Sequence, residues 1–166
     1  MEDFLSIKPL CDADINFVTE ISRDEGFAPG IGDLGIYQNT DSQGLWVGWL
    51  NENPIGCIAG VRYNQYYGFL GLFLVIEKYR GRGYGLQLWK KALSHLNDLP
   101  CIGLEAAPER IADYSKWGFT ISSKTTRWQC LGDGKLLEEN AKNDDLDDFS
   151  FVEGSSIPQD AVEKFD

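Results

Sequence analysis

Three glycines, spaced two residues apart, follow an apolar segment in the middle of the chain. Gly81, Gly83 and Gly85 come after the segment LFLVI, with Arg80 and Arg82 beside them. Glycines let a backbone turn sharply and approach phosphate oxygens closely, and the first N–H groups of a helix favour an anion. The spacing permits two interpretations: an ordinary turn with solvated arginines, or an anion-binding loop at a helix start.

Two common nucleotide-binding loops do not fit this segment. The sequence contains no G-x-x-x-x-G-K-[ST], which excludes a P-loop. A Rossmann fingerprint requires a strand that opens a βαβ unit and an acidic residue about 20 residues further on. Glu105 has that separation, but it lies in a segment predicted to be a buried strand, and antiparallel hairpins precede the glycines.

The segments before the glycines predict a helix followed by an antiparallel meander. Asp12 caps a predicted helix that runs to roughly Glu25, and residues 26–35 are too rich in glycine and proline to continue it. Four apolar segments predict strands, and tight turns join the last three of them. These predicted strands are residues 4–10, 45–50, 55–63 and about 66–76.

After the glycines the apolar period changes to that of a helix, which extends to about residue 96. The apolar segment 101–107 then predicts a buried strand, a helix runs from Pro108 to Trp117, and two short strands follow within residues 119–131. His95 lies on the polar side of its helix and is expected at the surface. The order β-α-β-β-β-α-β-α-β-β predicts a mixed α/β domain with a central sheet of about seven strands.

Two motifs carry a resemblance to a known family. Arg80-x-x-Gly83-x-Gly85, between the strand LFLV and a helix, resembles the acetyl-coenzyme A signature of the GCN5-related N-acetyltransferase (GNAT) superfamily. The segment DYSKWGF, residues 113–119, is similar to that family's Tyr-x-x-x-Gly-Phe ending of the helix after the fifth strand. The order of elements resembles the family fold from residue 4 to residue 131, so we predict a GNAT domain over residues 1–132.

The resemblance implies an N-acetyltransferase that uses acetyl-CoA as co-substrate and no metal. A primary amine of a small molecule or peptide would attack the thioester directly in a ternary complex; the alternative is a non-catalytic CoA-binding or regulatory module. Two central parallel strands would splay apart, so that one strand's main chain binds pantetheine while the glycine loop binds pyrophosphate. The cofactor-binding residues implied are Phe73, Leu74, Val75, Arg80, Gly81, Arg82, Gly83, Tyr84, Gly85 and Leu86.

The resemblance also implies catalytic roles for two residues. Tyr114 matches the family tyrosine that protonates the departing thiolate; the alternative is an aromatic residue packed under its helix. Glu105, at the end of the splayed strand, stands where an acidic residue serves as base in some family members; the alternative is a partner for an arginine or a backbone amide. Asp24, Glu25 and Asp33 border the variable region that shapes the acceptor site, and they either bind a cationic acceptor or face water.

Composition restricts the partners and the location. The net charge of −11 is concentrated near the C-terminus, because residues 133–166 carry 11 acidic and 3 basic residues. We expect these residues to form an acidic tail, partly disordered or the stub of a further domain. The sequence lacks a basic stripe, a membrane span and a signal-like N-terminus, which predicts a cytoplasmic protein without nucleic-acid or membrane partners. A homodimer remains an open alternative for its assembly.

Overall fold

The computed structural model describes residues 4–27, 29–126, 128, 153–158 and 160–161. Contacts divide the chain into two units, Met1–Phe119 and Thr120–Asp166. The second unit includes the 3-10 turn Gly154–Ser156. Most of the predicted acidic tail lies outside the described residues, and the domain boundary after residue 132 stays a prediction.

Five strands form one sheet in the described part of the first unit, in the same order as along the chain. The first four pair antiparallel, and the last pair is parallel. The parallel pair requires a crossover connection, and a helix on one face of the sheet provides it. The strands are β1 (Leu5–Pro9), β2 (Leu45–Leu50), β3 (Asn53–Arg62), β4 (Tyr67–Val75) and β5 (Cys101–Leu104).

In the described part of the first unit, four helices accompany the sheet: α1 (Ile15–Asp24), α2 (Asp33–Thr40), α3 (Tyr84–Leu96) and α4 (Ile111–Ser115). Three of them lie where the sequence predicts helices. The exception is α2, which begins inside the segment we expected to be irregular. Its start is stabilised by Asp33, whose Oδ2 accepts a hydrogen bond from the Gly30 N–H at 2.7 Å. The glycines and the proline before this short helix are typical of a loop, so the sequence pattern did not predict it.

The mixed α/β class is confirmed, but the strand count differs from the seven expected. Residues 119–126 belong to no strand, and residues 127 and 129–131 lie outside the described part of the chain. An alternating polar and apolar segment becomes a strand when a neighbouring strand accepts its hydrogen bonds. The pattern alone does not show whether such a neighbour exists.

The core has two layers, one on each face of the sheet. One cluster of buried side chains joins the sheet to α1, which contributes Val18, and to α2, which contributes Leu34. The other joins the sheet to α3 through Leu88, Trp89 and Leu96. Trp89 and Leu96 of the apolar face expected for α3 are buried, whereas Leu86, expected on the same face, is exposed. The two layers hold α1 and α3 on opposite faces of β4.

Candidate active site

The strand β4 extends beyond its parallel partner. Pairing of β4 with β5 begins at Tyr67–Cys101 and ends at Leu70–Leu104, where β5 itself ends. On its other edge β4 remains paired with β3 as far as Val75 opposite Gly56. Within the described residues, the stretch 71–75 of β4 therefore has a strand on one edge and a gap on the other. The end of this pairing agrees with the separation of two parallel strands that the resemblance implied.

A β-bulge in β4 lies at the beginning of this gap. The pairing of β4 with β3 shifts register between Cys57 and Ala59, and Leu72 has a φ of 44°. A positive φ is strained for a residue with a branched side chain, and such strain is often found at functional sites. The bulge changes the face on which the side chains of β4 lie. Leu70, before it, packs on the α3 side of the sheet, whereas Leu72 packs on the α1 side.

The backbone of Val75 points into the gap. Successive residues of a paired strand direct their backbone groups to opposite edges, and the N–H of the next residue, Ile76, donates to the carbonyl of Ile55 at 2.9 Å. The carbonyl of Val75 instead accepts a hydrogen bond from Nε of Arg80 at 2.7 Å. The N–H of Val75 lies on the same edge, which has no strand partner among the described residues and can therefore meet an extended ligand.

The N-terminus of α3 is open to an anion. Gly83 is its N-cap residue with φ 82°, and no side chain caps the helix. The first helical hydrogen bond runs from the Gln87 N–H to the Gly83 carbonyl, so the preceding N–H groups of Tyr84, Gly85 and Leu86 have no intrahelical partner. A Cβ atom on Gly83 would meet nothing within 4 Å, so there is free space at this turn. A phosphate group fits these donors.

The open helix end and the gap are adjacent. A Cβ atom on Gly85 would lie 3.4 Å from Cζ of Phe73 and 3.5 Å from Cγ2 of Val75. The first turn of α3 therefore packs directly on the strand segment beside the gap. A ligand with a pyrophosphate at one end and an extended amide-containing arm at the other could contact both features at once.

The two arginines of the loop have different surroundings. The guanidinium of Arg80 is engaged on two sides, by the Val75 carbonyl and by the carboxylate of Glu25. Arg82 is exposed and has no ion-pair partner in the described part of the chain. The sequence predicted only that both arginines add positive charge beside the glycines. The Glu25 contact was missed because 55 residues separate it from Arg80.

A cleft of about 140 Å³ lies between the end of α1 and the end of β4. Its walls are apolar apart from backbone groups and two carboxylates, those of Asp24 and Glu25. The full lining is Ile21, Asp24, Glu25, Leu74, Val75 and Ile76. The structure thus places Asp24 and Glu25, whose role the sequence left open, next to the segment of β4 that has no strand partner on its outer edge among the described residues.

Tyr114 is half-buried in an aromatic cluster on the α3 side of β4. Its ring centroid lies 5.4 Å from that of Trp89, which in turn lies 5.6 Å from that of Phe73 beside the gap. The residue therefore packs as the structural alternative described. Its hydroxyl nevertheless has no hydrogen-bond partner among the described residues. The buried indole N–H of Trp89 also lacks one, so the cluster holds two donors that a bound ligand could use.

Burial raises the pKa of the Tyr114 hydroxyl above its usual range. The positive charge of Arg110 opposes this shift, and the negative charge of Asp113 adds to it. A raised pKa keeps the phenol protonated throughout the neutral range. Tyr114 is therefore able to donate a proton at physiological pH.

Glu105 directly follows the last paired residue of β5, at the point where the gap begins. It is exposed, so the buried position expected from the apolar strand before it is not formed. The sequence predicted that Glu105 would be buried, and this prediction was wrong. The residues of β5 before it are nearly all apolar, but they are themselves half-exposed or exposed in the described structure. No described hydrogen bond or ion pair engages its carboxylate, so the alternative role as a partner is not observed either.

These features agree with comparisons to known proteins. The sequence model of the acetyltransferase (GNAT) family matches residues 15–119, which is more than half of the chain. The chain belongs to the GNAT acetyltransferase family. The matched segment of this GNAT chain begins with α1 and ends just after α4, so it contains the glycine loop, the gap and the cleft.

Two curated proteins are similar to parts of this GNAT chain. A holothin acyltransferase from Pseudoalteromonas sp. (strain SANK 73390) is 33% identical over 120 residues, which are 72% of this chain and 40% of that protein. An uncharacterized protein from Caenorhabditis elegans is 36% identical over 62 residues, 37% of this chain and 20% of that protein. The chain thus spans less than half the length of either relative.

Solved structures share the fold of this GNAT chain at low identity. Ard1 from Thermoplasma volcanium superposes with a TM-score of 0.64 at 22% identity, over 72% of this chain and 84% of that one. N-acetylglutamate synthase from Neisseria gonorrhoeae, complexed with coenzyme A and L-arginine, gives 0.58 at 16% identity over 74% of this chain and 28% of that one. Glucosamine-6-phosphate N-acetyltransferase from Arabidopsis thaliana superposes with a TM-score of 0.56 at 16% identity, over 78% of this chain and 99% of that one.

The described residues lack two further features. They contain no helix long and apolar enough to span a membrane. They also contain no group of three or more His, Cys, Asp or Glu side chains arranged to hold a metal ion.

Proposed function

We propose that this protein is an N-acetyltransferase that moves an acetyl group from acetyl-CoA to a primary amine of a small molecule or peptide. The observation that carries the proposal is the adjacency of the open N-terminus of α3 to the gap beside β4. Coenzyme A has a pyrophosphate that suits the first feature and a pantetheine arm whose amides suit the second. Membership in the GNAT family supports the same donor.

The chain's own groups have distinct tasks in this proposal. The N–H groups between Arg80 and Leu86 bind the pyrophosphate, while the backbone of Phe73, Leu74 and Val75 binds the arm. The Val75 N–H donates to the thioester carbonyl, a preorganised contact of the kind that contributes a few kcal/mol to acyl transfer. Bound acetyl-CoA supplies an acyl group activated as a thioester.

Proton transfers complete the reaction. The acceptor's amine enters through the acidic cleft and loses a proton to Glu105, either directly or through a water molecule. Its nitrogen forms a bond to the acyl carbon as the carbon–sulfur bond breaks, and Tyr114 donates its hydroxyl proton to the sulfur. The second proton that the nitrogen loses restores the Tyr114 hydroxyl, and solvent takes the first proton from Glu105. The products are an amide and coenzyme A. Direct attack requires both substrates to be bound at once.

Acetyl-CoA should stabilise the folded protein. A ligand at a hundred times its dissociation constant adds about 2.7 kcal/mol to the free energy of unfolding, which is about 5–10 °C in Tm for a domain of this size. The measurement is a thermal melt with and without acetyl-CoA, beside acetyl-pantetheine, which lacks the pyrophosphate and should give a much smaller shift. No shift and no heat of binding with acetyl-CoA would refute the proposed donor.

Replacing Glu105 with glutamine should lower turnover about tenfold or more at neutral pH, because the amine then lacks a proton acceptor. The deficit should shrink as the pH rises and the free amine becomes more abundant. The assay is release of coenzyme A with a panel of amines, polyamines, amino acids and peptides. Glu109→Gln, an exposed glutamate four residues away, is the matched control, and equal profiles for the two variants would disprove the base role.

A further inference from the structure

Arg80 joins two parts of the molecule that are distant in sequence. Its Nε donates to the carbonyl of Val75, the last residue of β4, at 2.7 Å. Its Nη2 contacts the carboxylate of Glu25, at the end of α1. Arg80 itself begins the glycine loop that leads into α3. One guanidinium therefore connects the gap strand, the loop and α1.

The position of Glu25 is fixed by the way α1 ends. The Gly26 N–H donates to the Arg23 carbonyl at 3.0 Å, and the Phe27 N–H donates to the Ser22 carbonyl at 2.9 Å. These two bonds form a Schellman motif, which requires a left-handed residue at Gly26, whose φ is 80°. Glu25 is the residue just before this glycine, so its carboxylate extends from an ordered helix end and not from a free loop.

Each end of the ion pair belongs to a different substrate's site. Glu25 and Val75 both line the cleft through which the amine would enter. Arg80 opens the loop whose N–H groups would bind the pyrophosphate. Nε and Nη2 are already used by the protein, but the two N–H groups on Nη1 have no partner in the described part of the chain and could face an anion.

We propose that the Arg80–Glu25 ion pair couples coenzyme A binding to the wall of the acceptor cleft. This inference rests on the proposed function, since it takes the pyrophosphate to lie at the glycine loop. The charges would then alternate in sign: pyrophosphate, Arg80, Glu25 and the ammonium group of the acceptor. Each neighbour attracts the next, so a bound pyrophosphate orders Arg80, and Arg80 orders Glu25. Coupling of this kind is reciprocal, so the amine also favours coenzyme A binding.

The side chain at position 80 has to be arginine for this link. A guanidinium presents donors on several sides in a rigid plane, whereas a lysine ammonium is a single point at the end of a flexible stem. Arg80→Lys keeps the charge near the loop but cannot maintain both the Val75 and the Glu25 contact. The variant therefore separates a general electrostatic effect from the two-sided bridge.

The test follows hydrogen exchange at residues 25–27 with and without saturating coenzyme A. The amides there are those that end α1, and the ion pair is partly exposed, at 43% for Arg80 and 36% for Glu25. A pair of that kind changes an equilibrium about two- to fivefold, so coenzyme A should slow exchange by that factor in the wild type. The slowing should be absent in Glu25→Gln and in Arg80→Lys, although both variants still bind coenzyme A.

Two matched variants complete the design. Glu20→Gln, an exposed glutamate on the same helix, should behave as the wild type. Arg82→Gln should bind coenzyme A more weakly, yet show the same slowing once saturated. If coenzyme A binds and slows exchange equally in Glu25→Gln, the coupling is wrong while the proposed function stands. If the wild type does not bind coenzyme A, the proposed function fails and the coupling fails with it.

Discussion

Tyr114→Phe should reduce the rate of acyl transfer about a hundredfold or more while leaving the affinity for acetyl-CoA nearly unchanged. The substitution removes the proton donor to the sulfur, and general acids contribute about that factor. The phenyl ring keeps its packing against Trp89, at a centroid distance of 5.4 Å, so the fold should be retained. The measurement is the initial rate of coenzyme A release at saturating acetyl-CoA, together with a binding titration.

The pH dependence adds a signature that a merely structural tyrosine would lack. Because burial raises the pKa of Tyr114, the wild-type rate should not fall from loss of this proton until the pH exceeds the ordinary tyrosine value of about 10. Tyr66→Phe is the control, because Tyr66 is 64% exposed and lies outside the candidate site. Full activity in Tyr114→Phe would remove the acid role. Binding of coenzyme A without turnover in the wild type would favour the non-catalytic module.

Gly56→Ala should destabilise the protein by about 3 kcal/mol. A Cβ atom on Gly56 would lie 2.3 Å from the Leu74 carbonyl oxygen and 3.0 Å from the Val75 Cα. Both are backbone atoms, so no side-chain rotation relieves the clash and β4 itself must move. Because the segment that moves is the one beside the gap, affinity for coenzyme A should fall as well. Urea unfolding curves and a coenzyme A titration measure the two effects.

Gly48→Ala provides the comparison on the neighbouring strand. Its Cβ would meet side-chain atoms of Leu5 and Leu88, each at 3.4 Å, which is ordinary contact. We expect a loss below about 1 kcal/mol there and no change in coenzyme A affinity. Equal stability losses in the two variants would show that a clash with the β4 backbone is not the cause of the destabilisation in Gly56→Ala.

Much of the architecture could be predicted from local patterns. The change from a strand period to a helical period at the glycines located the boundary between β4 and α3, and Trp89 and Leu96 are buried as expected. Gly83 lies at the N-cap with a positive φ, which a glycine adopts without strain. These features depend on a few consecutive residues, so they can be read without knowing the rest of the fold.

Features that depend on distant residues could not be predicted in the same way. The bulge at Leu72 arises from the register between β3 and β4, and neither sequence marks it. His95 was expected at the surface, but it is half-buried, and its Nε2 lies 2.7 Å from Oδ2 of Asp41, which is 54 residues away. The exposure of Glu105 likewise depends on what covers β5, and not on the apolar character of its sequence.

The sequence by itself therefore determined the order of the five strands, the glycine loop at a helix start and the family that these motifs indicate. Short-range backbone preferences and side-chain periodicity are sufficient for each of these. The tertiary structure decided which groups meet: the gap beside Val75, the aromatic surroundings of Tyr114, and the contact of Arg80 with Glu25. Such contacts form between segments that only folding brings together, and their geometry is set by strand register and helix packing.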